Sequence, residues 1–133
     1  MKEFGFSESD FHAIARRAYD LSLQGAYDQA STLLEGLRAV DPLDRHCLLA
    51  LAGVRLKQRR FDESAELLKG WLAARPEDAD PRRLLIEVLL DAGRLAEARA
   101  ERDRLEASGA PLPAPLRLRF RAAEQRPGAI AGG

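Results

Sequence analysis

His12 and His46 stand 34 residues apart, and Cys47 follows His46 directly. Imidazole and thiolate are the side chains that zinc prefers, and together they are the parts of a nucleophile and its base. The spacing suits neither use. Neighbours on a helix project about 100° apart, so His46 and Cys47 do not face each other. A metal shared by the two histidines would find Cys47 pointing away, and no spaced ligand set completes the site. There is no glycine-rich phosphate loop and no nucleophile elbow. The sequence predicts no catalytic residue, no metal and no cofactor: not an enzyme. Cys47 reads as a small buried residue, and the histidines as surface or groove-lining residues.

The elements that hold these residues must then be asked what they build. With 133 residues, the chain is long enough to bury a core without disulfides or metal. Lys+Arg and Asp+Glu number 21 each, which argues against a general nucleic-acid or membrane-surface binder. The charge is uneven: residues 1–44 are net −4, 45–93 net +1 and 94–133 net +3. Solvated helix faces account for this. With one cysteine there is no internal disulfide. The opening MKEFGFSESD has acids where a secretory signal would be apolar, and no run approaches a membrane span. These features predict a soluble, cytoplasmic chain without membrane insertion.

The organisation is visible in a repeat. YDQASTLLEGLRAVDP begins at Tyr27 and FDESAELLKGWLAARP at Phe61, an offset of 34, with six of sixteen positions identical. Ile14, Ala18 and Leu21 recur at helical spacing, and Gly25 ends that helix. A second helix from Tyr27 carries Ala30, Leu34 and Leu37 inward, and Asp41-Pro42 stops it. Small Ala18 and Ala30 allow close approach, with Tyr27 filling the wedge at the turn. Arg59 replaces glycine at the second turn, at a cost if φ is positive. Ser7 predicts an N-cap with Phe6 stapled onto Phe11, and Asp80-Pro81 a cap with proline at the first helical position. The three prolines of APLPAP interrupt helix, and LRLRFRAAEQR resumes it with Leu116, Phe120 and Ala123 on one stripe.

A 34-residue helix–turn–helix period resembles the tetratricopeptide repeat. The resemblance implies an all-α fold: a right-handed superhelical stack of three units, 11–44, 45–78 and 79–112, plus a C-terminal capping helix at about 114–126. Residues 1–126 then form one domain, with 127–133 a disordered tail. Arginine departs from the family pattern at Arg17, Arg55, Arg82 and Arg102, where apolar residues are usual. The expectation is that their stems cover apolar surface while the charge stays in water.

In this fold the first helix of each unit lines a concave face. The resemblance places there His12, Arg16, Tyr19 and Leu23 from the first unit. It adds His46, Leu49, Gly53, Leu56 and Lys57 from the second, and Arg83, Leu84, Glu87 and Leu90 from the third. Such a groove suits an extended or helical apolar segment of a protein client. A clamp for chaperone C-termini needs lysine and asparagine where this chain has Ala15, Tyr19 and Ala50, so that use is not expected.

The stretches LQGAYDQASTLLEGLRAVDPLD, ADPRRLLIEVLLDAGRLAEAR and LLKGWLAARPED are similar to those of small chaperones of type III secretion systems. That resemblance implies a chaperone that sequesters an apolar client segment before export. The alternative is a general scaffold or adaptor, as in pilus or outer-membrane biogenesis. Pairing with a second copy of the chain stays open.

Overall fold

The structure is a computed structural model that describes residues 7–125. Phe6, Arg126 and the expected tail at 127–133 lie outside the described residues. Among those described are seven helices and no strand: α1 (Glu8–Leu23), α2 (Tyr27–Val40), α3 (Arg45–Lys57), α4 (Phe61–Ala74), α5 (Ala79–Asp91), α6 (Leu95–Ala107) and α7 (Ala114–Gln125). The chain divides into two compact units, Met1–Leu67 and Leu68–Gly133.

In the first unit Ser7 caps α1. Its Oγ accepts the Asp10 N–H at 3.1 Å, and the Asp10 carboxylate accepts the Ser7 N–H at 3.0 Å. The Ser7 N–H, and after it the Ser7 hydroxyl, holds the exposed Asp10 carboxyl below its ordinary pKa. Asp44 caps α3, its Oδ1 accepting the Cys47 N–H at 2.8 Å. Asp41-Pro42 follows the end of α2, as the sequence predicts.

The first core gathers Phe11, Ala18, Leu21, Ala30, Leu34, Leu37 and Leu51, with half-buried Tyr27 packed against it. Ala18 and Ala30 have almost no exposure, which lets α1 and α2 close on each other. A fully buried leucine contributes about 1.5–3 kcal/mol, and Leu37 is one. Cys47 is buried here, its Sγ directed at the Leu34 carbonyl at 3.4 Å.

The 34-residue period is present in the backbone itself. Gly25, Arg59 and Gly93 all have positive φ, at 81°, 61° and 76°. After each, a backbone N–H reaches five residues back: Ala26 to Leu21, Arg60 to Arg55 and Arg94 to Leu89, each at 2.8 Å. Arg59 thus occupies a left-handed position that favours glycine, and its guanidinium lies 5.1 Å from the Phe61 ring centre.

Two arginines correct the sequence reading. Arg55 on α3 is buried rather than wet. Its Nη1 donates to Ser31 Oγ at 2.6 Å and Gln58 Oε1 at 3.1 Å, its Nε pairs with Glu63 at 3.2 Å, and its Nη2 meets Glu35. Gln58 donates onward to Asp28 at 2.7 Å. An expected apolar contact is replaced by a polar tie among α2, α3 and α4.

In the second unit, Arg82 on α5 is likewise buried, paired with Glu101 on α6 and donating to the Pro76 carbonyl at 2.9 Å. Arg104 also pairs with Glu101. A buried guanidinium must spend its donors on protein acceptors, and these supply them. Leu85, Ile86, Leu89, Ala98 and Leu105 form the apolar body of this unit. Trp71 donates from Nε1 to Asp78 at 2.9 Å, and the Arg75 guanidinium lies 3.7 Å from its ring centre.

Asp78, not Asp80, is the cap residue of α5, two positions earlier than the sequence predicts. Pro81 therefore sits third in the helix. The first four N–H groups have no intrahelical partner, so proline is tolerated at third as well as first. α7 buries Leu116 and Phe120 and half-buries Ala123, the stripe read from the sequence, and Leu112 just before the helix is buried too. Arg102 lies 4.8 Å from the Phe120 ring centre and pairs with Glu124 at 3.3 Å.

Candidate functional site

α1 and α3 flank a hollow of about 810 Å³ in the first unit. Its position follows from small residues. Ala15 and Ala18 on α1, with Ala50 and Gly53 on α3, leave the ground between the helices low. The hollow therefore reaches down to Tyr27, Leu34 and Leu37, which helical spacing alone assigns to packing, and to Val54, which it does not single out. The signal that could have found them was the run of small residues above.

Seven of the predicted residues come together on this hollow: His12, Tyr19, Leu23, His46, Leu49, Gly53 and Lys57. Tyr19 and Leu23 stand at its lip with 60% and 69% of their surface in water. Leu43 and Leu118 are as exposed elsewhere, and what sets Tyr19 and Leu23 apart is their place beside an apolar concavity. Gly53, in the middle of α3, opens a notch: a Cβ built there would meet no atom within 4 Å. Asp44, the acid among the lining residues, is engaged as the cap of α3. Burial pushes the pKa of the lining thiol of Cys47 up to about 11, with the Asp44 carboxylate adding to the effect. A thiol held neutral in this way is a poor nucleophile.

The other predicted residues lie elsewhere. Arg16 is exposed on α1 but is not among the lining residues. Leu56 is buried, with 6% exposure, and does not line the hollow. On α3 the lining extends on one side of Gly53 as far as Leu49, about 40° round the helix, and Leu56, about 60° round on that side, falls past its edge.

In the second unit, α5 carries Arg83, Leu84, Glu87 and Leu90, all half-buried. Arg83 is occupied: its Nε donates to the Pro111 carbonyl at 3.1 Å and its Nη1 to Asp80 at 2.9 Å. Asp91 on the same helix pairs with Arg119 of α7. Among the described residues no three His, Cys, Asp or Glu side chains gather as a metal site would require.

A sequence model of the tetratricopeptide repeat matches residues 21–79 and again residues 55–118. The chain belongs to the tetratricopeptide-repeat family. Its helix pairs, its three turns of equal hydrogen-bond geometry and its small-residue contacts are the physical content of that membership. Tetratricopeptide repeats serve as protein-interaction scaffolds, and the chain reads as a protein-interaction module on that ground. No curated protein matches it significantly. No described helix is long and apolar enough to cross a membrane.

Proposed function

We propose that this tetratricopeptide-repeat chain holds an apolar segment of a client protein in the hollow between α1 and α3. The observation that carries the reading is exposed Tyr19 and Leu23 at the lip of an 810 Å³ hollow with a low, apolar ground. An aromatic ring with one face in water is a ready anchor, because it orders few torsions when a partner covers it. The activity is sequestration: apolar surface of the client leaves water against α1 and α3, and no bond is made or broken. Leu84 and Leu90 take a similar part in the second unit.

The finer reading is a small cytoplasmic chaperone of the type III secretion kind, supported by the three similar stretches of sequence. The alternative is a general scaffold in a multiprotein assembly. They differ in the client: a chaperone's client is insoluble or unfolded without it, whereas a scaffold's partners fold alone.

Affinity capture with matched baits tests the groove. Wild type and Glu66→Lys, an outer-face control, retain the same partners, and Tyr19→Glu and Leu49→Glu lose them. Equal loss from Glu66→Lys contradicts the assignment.

A further inference from the structure

We infer that the segment received by this hollow carries a bulky apolar side chain and, a short distance along it, a carboxylate, the first seated at Gly53 beside Tyr19 and the second paired with Lys57. The inference deepens the groove reading and rests on it.

The first half comes from shape. Gly53 is on the lining, within the α3 helix, and has open space where a side chain would be. Gly36 and Gly70 are also open, but neither is on the lining of this hollow. A notch floored by a glycine, with Leu49 and Val54 near it along α3 and Tyr19 on α1, accepts a large apolar side chain without displacing one of its own.

The second half comes from charge. Lys57 lies on the lining, is exposed, and makes no ion pair or hydrogen bond among the described residues. Many of the other cations are taken: Arg55, Arg60, Lys69, Arg82, Arg83 and Arg119 all pair with carboxylates. Asp44, the acid on the lining, caps the opposite end of α3, thirteen residues and about 20 Å along the helix from Lys57, so the two do not pair. A free ammonium at the end of an apolar hollow selects a partner with an acid there and disfavours one with a base.

The geometry also fixes the spacing. Gly53 and Lys57 are four residues apart on α3, a rise of about 6 Å. An extended segment covers that in two residues, at about 3.3 Å each, and a helical one in four. The acid therefore lies two or four positions from the apolar anchor, before or after it according to the direction in which the segment runs.

A random dodecapeptide library displayed on phage and selected against the folded wild-type chain tests this. Gly53→Leu and Tyr19→Glu serve as counter-selections, with circular dichroism confirming their helicity. Leucine is a better helix former than glycine, so Gly53→Leu fills the notch without weakening α3. The expected peptides carry Asp or Glu two or four residues from a Leu, Phe, Met or Trp. They bind Lys57→Glu about fivefold more weakly, a difference of about 1 kcal/mol, and selection against Lys57→Glu enriches Lys or Arg instead.

Peptides that need Tyr19 and the open notch, but carry no acid preference or bind Lys57→Glu equally, overturn the charge rule and leave the groove reading standing. A selection whose peptides all bind Gly53→Leu and Tyr19→Glu undiminished, or one that yields no peptide, overturns both.

Discussion

Arg82 on α5 and Glu101 on α6 form an ion pair in which both side chains are about nine-tenths withdrawn from water, at 10% and 11% exposure. The pair stands where the repeat usually packs a large apolar residue. Removing one partner of such a pair leaves a buried charge, which typically costs about 3–5 kcal/mol. Glu101→Ala should fall in that range by urea denaturation. Arg82→Met with Glu101→Leu should recover most of the loss, because no charge then remains buried. A double variant as unstable as the single one would contradict this account of the pair.

Arg59 holds φ of 61° at a turn where Gly25 and Gly93 hold 81° and 76°. Left-handed backbone costs a residue with a Cβ about 1–2 kcal/mol. The ring of Phe61 returns part of that to arginine, on the order of 0.5–1 kcal/mol. Arg59→Gly should therefore melt within a few degrees of wild type, and Arg59→Val clearly lower, since it has the branched Cβ and no cation. Equal melting of the two variants would count against strain at this turn.

Cys47 gives a pH prediction with a defined sign. Its folded pKa is raised to about 11 from an ordinary 9.0. The fold favours the neutral thiol, so this contribution to stability is complete below pH 9 and is lost as pH rises from 9 towards 11. At pH 8 the thiol should resist alkylation by iodoacetamide in the folded chain and react promptly in urea. Rapid modification of the folded chain at pH 8 would remove Cys47 from the core.

Leu56 and Tyr19 separate stability from binding. Leu56 is buried and Tyr19 is 60% exposed. Leu56→Glu should lower the melting temperature sharply, because a carboxylate replaces a packed side chain. Tyr19→Glu should leave circular dichroism and melting nearly unchanged and abolish capture of partners.

Much of the architecture could be read from the sequence because it is local and periodic. The 34-residue offset, the small residues Ala18 and Ala30, the turn at Gly25 and the stop at Asp41-Pro42 each act within a few residues of themselves. The burial of Arg55 and Arg82 could not be read in this way. Their acids, Glu35, Glu63 and Glu101, lie on other helices, and sequence distance does not reveal which helices pack.

The lining of the hollow, the candidate site, was partly legible for the same reason. Register alone puts His12, Tyr19, Leu49 and Gly53 on one face, and all four line the hollow. It misplaces Leu56, which falls just past the edge of the lining face that Leu49 marks on α3. It also misses the ground at Val54 and Leu34, which is reached only because the residues above are small.

The most direct test of the proposed binding face is amide chemical-shift mapping of the ¹⁵N-labelled chain titrated with a client segment or a selected peptide. Shifts should concentrate on Tyr19, Leu23, Leu49, Gly53 and Lys57. Shifts confined to the outer residues of α2, such as Thr32 and Glu35, with α1 and α3 unmoved, would contradict it.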